Sequence, residues 1–129
     1  MGGRDEAPWA GVVGQAQTGT GKTAAFVIPI LELLDIESAQ PEPQALILVP
    51  TRELAAQVHQ EFEKLARAFP VRSLAIYGGM PIKRQIEQLR RGAQVVVGTP
   101  GRIIDHISRR TLKLHDVDFV VLDEADRML

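Results

Sequence analysis

The glycine-containing segment Ala16–Thr23 (AQTGTGKT) constrains the fold more than any other part of the sequence. It lies between an apolar run, Gly11–Ala16 (GVVGQA), and a segment with helical periodicity over Lys22–Leu34. This is the context that a phosphate-binding loop requires. Gly19 and Gly21 allow backbone N–H groups to approach phosphate oxygens, which a Cβ atom would obstruct. The segment therefore predicts a strand, a phosphate loop and a helix, in that order.

The side chains at the end of the loop suit a nucleoside triphosphate. Lys22 can reach the β- and γ-phosphates, and the hydroxyl of Thr23 can bind Mg²⁺. The positive end of the helix dipole faces the same phosphate oxygens. Ala16 stands where the generic pattern has glycine, and a merely glycine-rich turn is the alternative interpretation. The predicted nucleotide-contacting residues are Ala16, Gln17, Thr18, Gly19, Thr20, Gly21, Lys22 and Thr23.

An acidic run follows the last apolar strand segment, Phe119–Leu122. Ligands of α/β sheets bind at the carboxyl ends of strands, so Asp123 is placed to hold Mg²⁺ and to contact the nucleotide. Glu124 is suited to position or deprotonate the attacking water. Alone, such a run is more often a solvated turn, but a phosphate loop upstream makes this the weaker interpretation. The predicted catalytic residues are Lys22, Asp123 and Glu124.

Apolar runs of strand length alternate with segments of helical periodicity along the whole chain. Strands are predicted at Gly11–Ala16, Ala45–Val49, Val71–Tyr77, Gln94–Gly98 and Phe119–Leu122. Helices are predicted over Lys22–Leu34, Thr51–Phe69 and Pro81–Gly92, with a further helix starting at Thr99-Pro100, where the threonine hydroxyl caps it. The second helix has one apolar stripe at Leu54, Val58, Phe62, Leu65 and Phe69. This alternation predicts a doubly wound α/β domain with a parallel sheet.

Composition narrows the classes of partner and location. The 129 residues suit one domain, and the net charge of −1 means that any nucleic-acid contact must come from a local patch. The pairs Lys83-Arg84 and Arg90-Arg91 are interpreted as an exposed face or as part of such a patch. The absence of cysteine excludes disulfides and thiolate metal sites. No apolar stretch is long enough to span a membrane, so we expect a soluble, cytoplasmic protein without membrane contact.

Five short motifs occur together in one order. They are AQTGTGKT, PTRELA (Pro50–Ala55), the pair Gly78-Gly79, TPGR (Thr99–Arg102) and DEAD (Asp123–Asp126). In order and approximate spacing they resemble the DEAD-box RNA helicases. Each string alone is weak, but five in sequence make the resemblance specific, and it covers nearly the whole chain.

The resemblance implies ATP-dependent remodelling of RNA by two RecA-like lobes. Residues 1–129 are then a partial first lobe, and ATP, Mg²⁺, RNA and the second lobe are its expected partners. The motifs that face RNA in this family map onto Thr51, Arg52, Gly79, Thr99, Gly101 and Arg102. Such residues contact the sugar-phosphate backbone, so we expect low sequence specificity. Without the family, a helix cap at Thr99-Pro100 and a turn at Gly78-Gly79 explain two of these motifs.

The chain lacks parts that the family possesses. The upstream glutamine motif is not reproduced, and neither the Ser-Ala-Thr motif nor a second lobe is present. By resemblance, the Ser-Ala-Thr strand lies between the phosphate-loop strand and the DEAD strand, so a gap is expected there. The second lobe also supplies arginines to the γ-phosphate, so we expect negligible ATP hydrolysis by this chain alone. The alternative function is a non-catalytic module that binds nucleotide or RNA.

Overall fold

The computed structural model describes residues 13–16 and 22–128. Five strands alternate with four helices in this part of the chain. They are β1 (Val13–Ala16), α1 (Lys22–Leu33), β2 (Ala45–Leu48), α2 (Arg52–Leu65), β3 (Ser73–Ile76), α3 (Ile82–Arg91), β4 (Val95–Gly98), α4 (Pro100–Ser108) and β5 (Phe119–Asp123). A single 3₁₀ turn, Ala125–Arg127, follows β5. The predicted order of elements is confirmed.

The strands form one parallel sheet in the order β1-β5-β2-β4-β3. Because all strands run the same way, their carboxyl ends share one edge, and each loop that follows a strand starts there. Neighbouring strands lie about 4.8 Å apart, so the loops after β1 and β3 begin roughly 19 Å from each other. The sheet therefore separates the predicted nucleotide site, at the ends of β1 and β5, from the ends of β3 and β4.

The expected gap beside the DEAD strand is absent. β1 pairs directly with β5, with Val13 opposite Val120 and Ala16 opposite Asp123. The prediction of an open position between these strands is therefore wrong for this structure. Direct pairing is physically favourable because a central strand with an unpaired edge would leave buried backbone N–H and C=O groups without partners.

Two apolar layers hold the sheet between helices. Alternate residues of β2 point to opposite faces, so Ile47 packs with α1 and α2 whereas Leu46 packs with α3 and α4. The first layer includes Val27, Ile30, Val58, Phe62 and Val97. The second includes Ile76, Leu89, Val96, Ile103 and Leu112. Both faces of β2 are covered, as its continuous apolar run predicts.

The second helix is shorter than predicted. It ends at Leu65 and not at Phe69, and these two side chains are 38% and 42% exposed. Ala66 takes over the buried position four residues after Phe62, and its N–H donates to the Phe62 carbonyl at 2.9 Å. The predicted apolar stripe is therefore buried at Val58 and Phe62 but not at Leu65 and Phe69, and the buried surface continues at Ala66 instead.

The predicted extents of the first and third helices agree with the structure to within about one residue at each end. Pro29 lies inside α1, and Gly92 closes α3 with a φ of +97°. An added Cβ at Gly92 would lie 2.7 Å from the carbonyl oxygen of Pro41, so both the backbone angle and the space require glycine. No helix in the described part of the chain is long and apolar enough to cross a membrane.

Candidate nucleotide site and nucleic-acid interface

The start of the predicted phosphate loop lies beside the predicted Mg²⁺ ligand. Ala16, the last residue of β1, is in register with Asp123, the last residue of β5. Lys22 is the first residue of α1, as the motif predicts. The predicted contacts Gln17, Thr18, Gly19, Thr20 and Gly21 lie outside the described residues. Sheet register therefore joins the two halves of the predicted site, which are separated by about a hundred residues of sequence.

Two oxygen-bearing side chains near this junction are buried. Asp123 is 0% exposed and Thr23 is 3% exposed. The Oγ1 atom of Thr23 has no hydrogen-bond partner among the described residues. A buried hydroxyl without a partner costs about 1–3 kcal/mol, so its retention needs an explanation. Carboxylate and hydroxyl oxygens are hard ligands of the kind that Mg²⁺ prefers, and this pair fits such an ion.

Glu124 has an unusual backbone conformation. Its φ and ψ are 56° and 49°, in the left-handed region that non-glycine residues rarely adopt. The Oε1 atom of its carboxylate accepts a hydrogen bond from Nη1 of Arg127 at 3.0 Å. Such strain costs on the order of 1 kcal/mol and concentrates at functional sites. The left-handed conformation of Glu124 ends β5 directly after the buried Asp123, and the 3₁₀ turn begins at the next residue, Ala125.

The two predicted RNA-contacting threonines begin helices in different ways. The hydroxyl of Thr51 accepts the Leu54 N–H at 3.2 Å and caps α2. Thr99 precedes α4, but its hydroxyl makes no capping hydrogen bond, so the predicted capping hydroxyl is wrong. Its backbone instead connects β3 to the start of α4. The Thr99 N–H donates to the Ile76 carbonyl, and the Thr99 carbonyl accepts the Ile103 N–H, both at 3.1 Å.

Backbone conformation and packing require glycine at one of the two predicted RNA-contacting glycines but not at the other. Gly79 has a φ of +86°, and an added Cβ would lie 2.5 Å from Nη1 of Arg52. The structure therefore brings Gly79 and Arg52 together across the top of β4. At Gly101 an added Cβ would meet no protein atom within 4 Å. Internal packing does not demand glycine at Gly101, which suits the close approach of an external ligand.

Arg102 contributes to a buried network that the sequence analysis missed. Its Nη1 atom donates to the Met80 carbonyl and to Oε1 of Gln85, each at 3.0 Å. Gln85 is 1% exposed, and its Nε2 atom donates to the Tyr77 carbonyl at 3.0 Å. One signal was available, because Gln85 lies on the same helical face as Ile82 and Leu89 and so places an amide at an apolar position.

His106 completes this network from the buried face of α4. Its Nε2 atom lies 2.8 Å from Oε1 of Gln85, an atom that only accepts, so Nε2 carries the proton. The hydroxyl oxygen of Thr111 lies 2.7 Å from Nδ1, and the same hydroxyl donates to the His106 carbonyl at 3.1 Å. Burial, followed by the charge of Arg102, lowers the pKa of His106 below its ordinary value of 6.5; Asp105 raises it and Arg109 lowers it. The imidazole is therefore neutral and structural, as expected for a packed histidine.

The family follows from a comparison with known proteins. The sequence model of the DEAD/DEAH box helicases matches residues 8–129. The chain belongs to this family. It is 62% identical over 119 residues to the ATP-dependent RNA helicase DeaD of Mycobacterium tuberculosis, covering 92% of this chain and 21% of that protein. It is 59% identical over 118 residues to CshA of Listeria monocytogenes, covering 92% of this chain and 22% of CshA.

Solved structures agree with the fold. A DEAD box protein from the hyperthermophile Methanococcus jannaschii superposes with a TM-score of 0.79 at 51% identity, over 90% of this chain and 31% of that one. The yeast DEAD-box splicing factor Prp28 superposes with a TM-score of 0.76 at 37% identity, over 90% of this chain and 28% of Prp28. The fold is thus the RecA-like domain of a DEAD-box protein. The chain spans about a fifth of the length of the curated relatives it matches.

Proposed function

We propose that this chain is the ATP-binding lobe of an ATP-dependent RNA helicase, which remodels RNA duplexes by hydrolysing ATP together with a second RecA-like lobe. Family membership supports the activity, since the curated relatives are named ATP-dependent RNA helicases. The observation that carries the proposal is the register of Ala16 with the buried Asp123. This register supports a single site, because it sets the start of the predicted phosphate loop beside the DEAD motif.

In this proposal each polar residue at the junction has a separate role. Lys22 and the loop before it would hold the phosphates, and the buried oxygens of Thr23 and Asp123 would hold Mg²⁺. The ion, when bound, neutralises charge on the β- and γ-phosphate oxygens. Glu124 orients the attacking water and accepts its proton, and its hydrogen bond with Arg127 restrains the carboxylate.

RNA is proposed to lie across the loops after β2, β3 and β4. The starts of α2 and α4 direct backbone N–H groups and positive dipole ends towards this surface, which favours phosphate. Gly101 allows close approach, whereas Arg52 and Arg102 add positive charge. These contacts read the backbone and not the bases, so binding should depend on salt more than on sequence. The cytoplasmic location expected from the sequence stays a prediction.

Thermal unfolding with and without Mg·ATP tests the nucleotide site. A ligand at about 100 times its Kd stabilises the folded state by about 2.7 kcal/mol, so the Tm of the parent chain should rise by several degrees. Lys22→Ala should abolish the rise. Lys64→Ala, on the exposed side of α2, is the matched control and should retain it. An equal rise in Lys22→Ala would refute the assignment of the phosphate loop.

A further inference from the structure

An open pocket of about 340 Å³ lies between the carboxyl end of α3 and residues 110–113, which follow α4. Glu42, three residues before β2, forms one side of it, and Arg90, near the end of α3, forms another. Residues that precede strands lie at the amino edge of a parallel sheet. The pocket is therefore on the opposite edge from Thr23 and Asp123, and it is separate from the nucleotide site.

Positive charge dominates the lining of this pocket. Three cationic side chains and one carboxylate surround a floor formed by an isoleucine, a leucine and a threonine. The lining residues are Glu42, Ile86, Leu89, Arg90, Arg110, Thr111 and Lys113. The formal charge of the pocket is therefore positive although the whole chain carries −1. A local excess of this kind attracts anions.

Neighbouring arginines in the same two segments are neutralised, whereas those in the pocket are not. Arg91 pairs with Glu87 at 3.6 Å, and Arg109 pairs with Asp105 at 2.9 Å. The adjacent residues Arg90 and Arg110 form no ion pair with any described residue, and Lys113 forms none either. In each pair of adjacent arginines, one forms an ion pair within its own segment and the other lines the pocket.

Arg110 also adopts a backbone conformation that its side chain disfavours. Its φ is +62°, and its N–H donates to the Ile107 carbonyl at 3.0 Å as the chain leaves α4. Glycine is the usual residue at this position after a helix, because it avoids the steric cost of a Cβ. Arginine here is unfavourable for the turn itself. Its presence is explained if the guanidinium is needed in the pocket.

We propose that this pocket binds a phosphate-bearing ligand with one or two terminal phosphate groups. A guanidinium group binds phosphate through two parallel N–H···O hydrogen bonds. Lys113 adds a third cation, which suits a terminal phosphate that carries two negative charges. Thr111 is already engaged with His106, so the charged side chains provide the recognition. Two sources share this chemistry, a free diphosphate and the phosphorylated 5′ end of an RNA. The site does not depend on the function proposed for the nucleotide site.

Titration of Lys22→Ala protein with pyrophosphate at about 150 mM salt tests the proposal. The substitution removes binding at the phosphate loop, and the salt screens weak attraction to exposed surface charges. Arg90→Gln and Arg110→Gly should each raise the Kd by about tenfold or more, equivalent to about 1.4 kcal/mol for one lost charged contact. Arg91→Gln and Arg109→Gln are matched neighbours and should bind normally. Arg110→Gly should also raise the Tm by roughly 3–5 °C, since it relieves the turn.

Loss of affinity in a variant with a higher Tm cannot be caused by misfolding. Absence of saturable pyrophosphate binding in the Lys22→Ala background, or normal binding by both pocket variants, would overturn the proposal. A comparison of 5′-phosphorylated and 5′-hydroxyl RNA of one sequence then distinguishes the sources. Tighter binding of the phosphorylated RNA that Arg110→Gly removes assigns the RNA end, and equal binding of both RNAs assigns a free diphosphate.

Discussion

The guanidinium of Arg102 is anchored on the buried amide of Gln85, with Nη1 and Oε1 3.0 Å apart. The same Nη1 atom holds the Met80 carbonyl at 3.0 Å. One arginine of the TPGR motif therefore fixes the loop that follows Gly79 as well as its own helix. Gln85, which belongs to neither motif, in turn holds the Arg102 guanidinium in place between these two segments that are proposed to face RNA.

Gln85→Leu should destabilise the fold by about 2–4 kcal/mol. The variant keeps the volume of the side chain but leaves the Tyr77 carbonyl and the His106 Nε2–H without this partner, and Arg102 keeps only its hydrogen bond to the Met80 carbonyl. Each buried group left unpaired costs about 1–3 kcal/mol. Urea denaturation measures the change. Gln88→Leu, half-buried on the same helix, is the control and should change stability by less than about 0.5 kcal/mol. A loss below about 1 kcal/mol for Gln85→Leu would show that the network contributes little.

The neutral state of His106 should make stability depend on pH. The unfolded chain binds a proton at this residue near pH 6.5, whereas burial and Arg102 lower the pKa in the folded chain. Between these two pKa values the unfolded state holds more protons. The free energy of unfolding should therefore fall as the pH drops below 6.5, by at most about 1.4 kcal/mol per pH unit, and should not respond to this residue at higher pH.

Urea denaturation between pH 7.5 and pH 5 isolates this effect by difference. His106→Asn removes the titrating group, so its stability should fall less steeply with acid than that of the parent chain. Gln88→Asn changes a half-buried side chain that does not titrate and should retain the parent slope. Identical slopes for the parent and His106→Asn would mean that the folded and unfolded pKa values do not differ.

The order of elements and half of the site could be predicted from local sequence. Apolar runs of four or five residues predict strands, and the position of Asp123 after such a run predicts an acid at the carboxyl edge. Helix ends were less predictable. The stripe of α2 continues in sequence to Phe69, but the helix ends at Leu65, and Leu65 and Phe69 are exposed. Ala66 is buried in their place, which the spacing of the large apolar residues did not predict.

Partners that lie far apart in sequence could not be predicted. The pairing of β1 with β5 depends on which strands compete for one edge, and no local pattern encodes that competition. Gln85 was visible as an amide on an apolar face, but its partner His106 lies on another helix, 21 residues away. Thr51 and Thr99 each precede a helix, but only the hydroxyl of Thr51 caps its helix. The Thr99 N–H instead donates to the Ile76 carbonyl of β3, a contact between segments that local sequence does not predict.

Thr23→Val should stabilise the free protein while removing Mg²⁺-dependent nucleotide binding. Valine replaces a buried hydroxyl that lacks a partner among the described residues with a methyl group of similar size, a gain on the order of 1 kcal/mol. The same change removes the proposed metal ligand. Urea denaturation without ligand and titration of ATP with and without Mg²⁺ measure the two effects separately.

Thr23→Ser is the control for this prediction, because it keeps the hydroxyl and should keep the Mg²⁺ dependence. If Thr23→Val is more stable and still binds Mg·ATP as tightly as the parent chain, Thr23 does not hold the ion. If Thr23→Val is less stable than the parent chain, the hydroxyl has a structural partner in solution, and its burial no longer supports a ligand site.

Two glycine variants should weaken RNA binding with opposite effects on stability. Gly101→Ala adds a Cβ that meets no protein atom within 4 Å, at the start of α4, so stability should stay constant or rise by up to about 1 kcal/mol. Gly79→Ala forces an L side chain to a φ of +86° and should cost on the order of 1 kcal/mol. Anisotropy of labelled single-stranded RNA should show weaker binding for both. Because Gly101→Ala leaves the fold intact, unchanged RNA affinity in that variant would remove α4 from the proposed RNA surface.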